Sequence, residues 1–229
     1  MANRKRPQLI DTTRIPGADR ELQLMLHDDT YTIRIAGVPG DLMSSRAHSS
    51  EDALGTLSCR HLQQTANARV LIGGLGMGFT LAAALRVLPS DASITVAELV
   101  PGVVEWNLAQ LGQCADYPLQ DPRVTVRSED VRNLIDPAAG EFAAILLDVD
   151  NGPEALTHPQ NDQLYSLSGL QRTFQALRPG GRIGVWSATP SVAFSSRLKA
   201  AGFAVTVKQV REHKGKGASH TIWLGRKPA

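Results

Sequence analysis

Cysteine is scarce. Cys59 and Cys114 are the only two in 229 residues, far apart and at no metal-ligand spacing. This argues against a disulfide framework or a thiolate metal site and fits a reducing compartment. Cys59, set among apolar residues of an expected helix, reads as a buried thiol. No run of about 18 apolar residues occurs, so no membrane span is expected. The first residues are polar and basic with no apolar core of a leader, and a cytoplasmic protein is the expectation. Strong charge of either sign is also missing. The formal net charge is +2, which gives no general reason to expect nucleic acid or membrane as a partner. Basic residues do gather near the ends, Arg4-Lys5-Arg6 and Lys208, Arg211, Lys214 and Lys216, and read as solvated termini and loops. Neither an internal repeat nor a low-complexity segment is present.

Apolar residues are plentiful. At 42% of the chain they suffice for a sizeable buried core. Their arrangement is organised around Val70–Gly78, VLIGGLGMG. A short apolar strand runs into a turn crowded with Gly73, Gly74, Gly76 and Gly78, and a helical pattern follows from Thr80. Glycines between strand and helix let backbone N–H groups and a helix N-terminus face a bound cofactor without interference from Cβ atoms. A second apolar strand, Ile94–Ala97, ends in Glu98. A glycine turn followed at this distance by an acid is the arrangement that holds a ribose through its hydroxyls.

Before this core, Glu21–His27 and Tyr31–Ile35 flank the turn residues Asp28-Asp29-Thr30 and predict a β-hairpin, with residues 1–7 as a loose arm. A helix is expected over 50–65, opened by Ser49 and Asp52 as a capping box. Strands are then expected at 69–73, 93–98, 123–127, 142–148 and 182–187, alternating with helices at 77–88, 101–111, 130–135, 163–177 and 191–201. Such alternation predicts a parallel sheet covered on both faces. Phe203–Val210 and Ser219–Leu224 have no helix between them and predict an antiparallel hairpin at the sheet edge. The fold class expected is therefore α/β: a doubly wound, mostly parallel seven-stranded sheet with an N-terminal β-hairpin and a C-terminal hairpin. The expected division is an arm and hairpin over 1–45 and one α/β domain over 46–229.

Ligands of open α/β sheets bind at the carboxyl ends of the strands. Those ends carry the glycine turn, Glu98, Glu129-Asp130, Asp148-Val149-Asp150-Asn151 and Trp186-Ser187. Asp148 emerges from a buried strand into this crevice. Asp130 reads either as a ligand contact or as the cap of the next helix, and Asp150 and Asn151 either as functional or as turn-formers before Pro153. Trp186 reads as core or pocket wall, and Tyr165 as pocket lining or helix packing. His48 and His220 have no partner identifiable from sequence.

Four segments, VLIGGLGMGFTL (Val70–Leu81), ITVAELVPGVVEWN (Ile94–Asn107), DPRVTVRSEDVRNLI (Asp121–Ile135) and FAAILLDVDNGP (Phe142–Pro153), together with LYSLSGLQRTFQALRPGGRIGVWS (Leu164–Ser187), resemble the class I S-adenosylmethionine-dependent transferases. Within these they resemble the spermidine synthase-like (polyamine aminopropyltransferase) group. The resemblance spans residues 65–190 and implies a role for each matching position. Gly74, Gly76, Met77 and Gly78 would carry the loop along the methionine moiety. Glu98, with Leu99 beside it, would bind the ribose. Asp130 and the Val131 backbone would read the adenine amino group. Asp148, helped by Asp150, would hold and deprotonate the attacking amine. Met77 stands where spermidine synthases carry an acid that favours decarboxylated S-adenosylmethionine, which leaves ordinary S-adenosylmethionine acceptable. Ser49-Ser50-Glu51 replaces a segment with a catalytic tyrosine and retains only its acid. The expectation is an enzyme without a metal that attacks the sulfonium carbon of either cofactor form with a small amine. Methyl transfer, or reaction of the cofactor's own amino-acid tail, is the alternative. By analogy with the family, a homodimer would meet through the N-terminal hairpin. A nonenzymatic or nucleic-acid-modifying role is disfavoured because the strand-end acids repel phosphates.

Overall fold

The computed structural model describes residues 6–149, 152–153, 163–213 and 216–229. The expected N-terminal hairpin, β2 (Glu21–His27) and β3 (Thr30–Ile35), is flanked by two further antiparallel strands, β1 (Gln8–Arg14) and β4 (Met43–Ser44). β1 lacks an apolar alternation of its own, which is why the sequence does not announce it. Its pairing with β2 and its docking on the main body define it. The Trp106 indole N–H donates to the Asp11 carboxylate at 2.8 Å, and Thr13 lies close against Gly102, where any Cβ would collide with it. Leu22, Leu24 and Ile33 are buried in the same apolar cluster as Leu54, Ile72 and Trp106, so this small sheet shares the core of the larger one.

The main sheet has seven strands in the order β10 (Ala204–His213), β11 (Lys216–Arg226), β9 (Leu177–Ser187), β8 (Phe142–Leu147), β5 (Arg69–Gly73), β6 (Ser93–Ala97) and β7 (Val124–Arg127). From β9 to β7 neighbouring strands are parallel, and the C-terminal hairpin joins β9 antiparallel. This is the doubly wound, mostly parallel α/β sheet expected. One face packs Val70, Ile72, Ile94, Val96 and Leu146 against α1 (Ser49–Cys59), α2 (Phe79–Val87) and α3 (Pro101–Leu108). The other packs Leu71, Ile145, Leu147, Ile183 and Val185 against α4 (Arg132–Ile135), α5 (Leu167–Ala176) and α6 (Val192–Ala200). Burial on both faces explains why these strands read as continuous apolar runs. No helix among the described residues is long and apolar enough to cross a membrane.

Two local expectations are corrected. The residue opening α1 is His48 rather than Ser49, and no side chain caps it. Asp52 is drawn away from the backbone by His48 Nδ1 and by Arg86, each at 2.7 Å. The helix also stops at Cys59 and tightens into one 3₁₀ turn, Arg60–Leu62, short of residue 65. Pairing places the topological switch point between β5 and β8, where strand order reverses, and the functional crevice opens there.

Candidate active site

The loop after β5 is held between two strand ends. The Gly74 N–H donates to the Ala97 carbonyl, and the Asp148 N–H donates to the Gly73 carbonyl, both at 2.9 Å. Gly74, at φ +87°, lies so close to the Asp148 carbonyl that no Cβ fits between them. This contact, and not only the turn, demands glycine there.

Beside it, Glu98 is 8% exposed and both carboxylate oxygens are fixed by backbone donors: the Leu75 N–H to Oε2 and the Val100 N–H to Oε1, each at 2.8 Å. Burial raises its proton affinity, against the lowering pull of these N–H groups. The carboxylate also feels the Gly76 and Leu99 N–H groups and borders the first of two cavities. Asp130 is gripped by the Arg132 guanidinium at 2.8–3.1 Å and accepts the Arg132 N–H at 2.9 Å. Burial works to raise its pKa, but the Arg132 hydrogen bonds and charge outweigh it and hold the carboxyl below the usual range.

Two cavities open from this crevice. Gly74, Gly76, Glu98, Leu99, Asp130, Val131 and Asp148 line the first, roofed by Leu22, Ile33, Leu42 and Met43 from the N-terminal sheet and the segment joining it to β4. The second is lined by Met77, Phe79, Thr80, Glu51, Asp148 and Trp186. Leu42, Met43, Gly76 and Asp148 border both. Met43 sulfur lies 3.0 Å from the point a Cβ on Gly76 would occupy, so it pinches the passage between the two chambers.

Asp148 and Glu51 form the electrostatic centre of the second cavity. The Thr80 hydroxyl donates to Asp148 Oδ2 at 2.6 Å. Burial pushes the Asp148 carboxyl up to about 6 against that hydrogen bond. Glu51 is pushed up to about 7, first by burial and then by the charge of Asp148, although Ser50 donates a hydrogen bond to it. Two carboxylates sharing a confined site cannot both ionise freely, and their protons belong to the pair. Both carboxylates are half-buried in the cavity wall.

Of the residues singled out from sequence, Met77 lines the second cavity and not the one holding Glu98, and Gly78 lines neither. Gly78 opens α2 and faces Asn107 and Pro118. Asp150 and Asn151 lie outside the described residues. Trp186 is a cavity wall, stacked on His220 with ring centroids 4.9 Å apart. Tyr165 is buried edge-on against Phe194, which favours its packing role. His48 stacks on Phe79 at 4.1 Å. The sequence reading missed Thr80, Leu42 and Met43. Thr80 was hidden as one small polar residue in an apolar helix. Leu42 and Met43 reach the site only through the tertiary docking of the N-terminal sheet.

No protein-family model matches the chain, and no curated protein matches its sequence. Solved structures do. A spermidine synthase in complex with the transition-state analogue AdoDATO is 15% identical with a TM-score of 0.74, covering 96% of this chain and 72% of that one. Spermidine synthase from Thermotoga maritima is 15% identical with a TM-score of 0.75 and the same coverage. A probable spermidine synthase from Corynebacterium glutamicum is 20% identical with a TM-score of 0.63, covering 96% of this chain and 80% of that one. The seven-stranded sheet, the small N-terminal sheet and the C-terminal hairpin together give this chain a spermidine synthase-like fold.

Proposed function

We propose that the chain is an alkyl transferase that binds S-adenosylmethionine or its decarboxylated form in the first cavity and a small amine in the second. The observation that carries this reading is the Glu51–Asp148 carboxylate pair, which faces a chamber joined at Gly76 and Asp148 to the one holding Glu98. Glu98 would accept the ribose hydroxyls. Leu99 and Val131 would flank the adenine, with Asp130 near its amino group. A buried acid pair with a raised proton affinity is suited to an ammonium, which replaces the shared proton as counter-charge. Phe79, Met77 and Trp186 give the methylene chain of an alkylamine apolar walls.

In the reaction, the ammonium gives a proton to Asp148 and its freed lone pair forms a bond to a carbon on the sulfonium. That carbon–sulfur bond breaks, and its electron pair neutralises the sulfur. The new secondary ammonium carries the charge away, and Asp148 loses its proton to solvent. Asp148 acts as general base and Thr80 orients it. Holding the two reactants in adjoining chambers supplies much of the remaining acceleration. The neutral Met77 is compatible with either cofactor form, and the likeness to spermidine synthases favours aminopropyl transfer.

The by-product decides the reaction. Incubation with each cofactor form and a panel of amines, followed by mass spectrometry, should yield methylthioadenosine. S-adenosylhomocysteine would instead establish methyl transfer. Asp148→Asn should abolish turnover with nucleoside affinity kept, and full activity in that variant would remove Asp148 from the mechanism. In calorimetry, Glu98→Ala should lose nucleoside binding by about 2 kcal/mol or more, the scale of hydrogen bonds to a charged group. Failure of the parent protein to bind either nucleoside at micromolar concentration would refute the reading as a whole.

A further inference from the structure

At the amino-terminal end of β9, away from both cavities, several basic side chains gather, while the nearby acid Glu141, just before β8, is paired with Arg69. Antiparallel register sets Arg182 of β9 directly opposite Arg226 of β11. Both lie on the sheet face covered by α1: Gly184, two residues beyond Arg182, packs directly beneath Ser58 and Leu54 of that helix. The chain leaves α1 just after Ser58 through Arg60 and His61. β9 also bulges there, carrying Arg178, Pro179, Gly180 and Gly181 where β8 carries only Ala143, and the charge of Arg178, like that of Arg182, reaches His61. The groups feel one another. Burial and then Arg182 and Arg178 lower the proton affinity of His61, to about 4, and burial, Arg60 and Arg226 lower that of Arg182.

None of the ion pairs among the described residues uses Arg60, Arg178, Arg182 or Arg226. Arg182 Nε is buried with no hydrogen-bond acceptor. Like charges directly opposite one another on a sheet repel, and a buried N–H without a partner is costly. An anion would relieve both faults at once.

We propose that Arg60, Arg178, Arg182 and Arg226 form a binding site for a phosphate-type oxyanion carrying more than one negative charge. Guanidinium forks match tetrahedral oxyanions through paired hydrogen bonds, and arginine keeps its charge even where its neighbours are cationic. The site is separate from the candidate active site: from Arg182 to Trp186 the strand advances four residues, about 13 Å at ~3.3 Å per residue.

The test is a titration of the full chain with pyrophosphate at ionic strength held constant with sodium chloride, read by calorimetry and thermal unfolding. The parent protein should bind and melt at a higher temperature. Arg182→Gln should bind at least about tenfold more weakly, and without pyrophosphate it should melt no lower than the parent, because removing it relieves repulsion. Arg60→Gln, at an exposed position, should also weaken binding several-fold. The proposal is overturned if pyrophosphate does no more than chloride, if both variants bind as the parent does, or if Arg182→Gln melts lower without ligand, the mark of a purely structural arginine. Should Arg182→Gln not fold, unchanged binding by Arg60→Gln overturns it.

Discussion

Replacing Glu51 by Gln should stabilise the ligand-free protein, and the gain should appear only as pH rises. In the unfolded chain Glu51 titrates near its ordinary value of 4.5, whereas in the folded chain burial and the charge of Asp148 push it up to about 7. Between those values the folded protein holds a proton that the unfolded chain has released. Stability therefore falls as pH rises through this window and levels off above it. Gln keeps the shape and removes the titration. The gap from 4.5 to about 7, at ~1.4 kcal/mol per tenfold change in proton affinity, sets a ceiling of about 3 kcal/mol. Water reaching the open cavity screens the pair, so the expected gain is about 1–2 kcal/mol at about pH 8. Urea unfolding of both proteins at about pH 5 and about pH 8 reads it directly. The variant's advantage should grow between the two. An advantage that is absent, or equal at both, would mean that Glu51 does not sit in a strained acid pair, and the electrostatic argument for an ammonium site would fall with it. The same substitution should weaken amine binding, since the pair is disfavoured without its counter-charge.

Two other substitutions probe the supports of the site. Thr80→Val removes the 2.6 Å hydrogen bond that lowers the proton affinity of Asp148. The acid limb of the pH–rate profile should move upward by about one pH unit, for a bond to a carboxylate worth ~1.5 kcal/mol, and an unmoved limb would show that Thr80 does not tune the base. Trp106→Phe cuts the indole bond to Asp11. It should cost about 1–2 kcal/mol and expose β1 to limited proteolysis before the main sheet is cut; cleavage at the parent's rate would show that β1 is held by pairing with β2 alone.

Much of this architecture is legible in the sequence because it is local. The strands around Val70–Gly73 and Phe142–Leu147 are buried on both faces, so each is written as an apolar run, and the glycines and prolines between elements mark the turns. Glu98 and Asp148 are legible for a related reason: each is the first acid after such a run, and a parallel sheet brings those ends to one crevice. What the sequence withholds depends on contacts between distant segments. Asp52, three residues after Ser49, has the spacing of a capping box, yet Arg86 and His48 claim its carboxylate, and nothing near Asp52 in the chain announces Arg86. β1 is a strand because β2 and α3 make it one.

The roof of the first cavity carries that point into function. Leu22, Ile33, Leu42 and Met43 come from the small sheet and the segment joining it to β4, while the polar groups beneath them come from the large one. An apolar roof over Glu98 and Asp148 lowers the polarity around their charges, which strengthens each interaction they make. The glycine loop alone defines the floor on which a nucleoside would lie. Whether the acids at its edge can bind an ammonium and take its proton depends on how tightly the roof closes. Met43, packed on Gly76 at the passage between the chambers, is where the two sheets meet in that task. The fold is thus written in the core of the large sheet, and the chemistry depends on its contact with the small one.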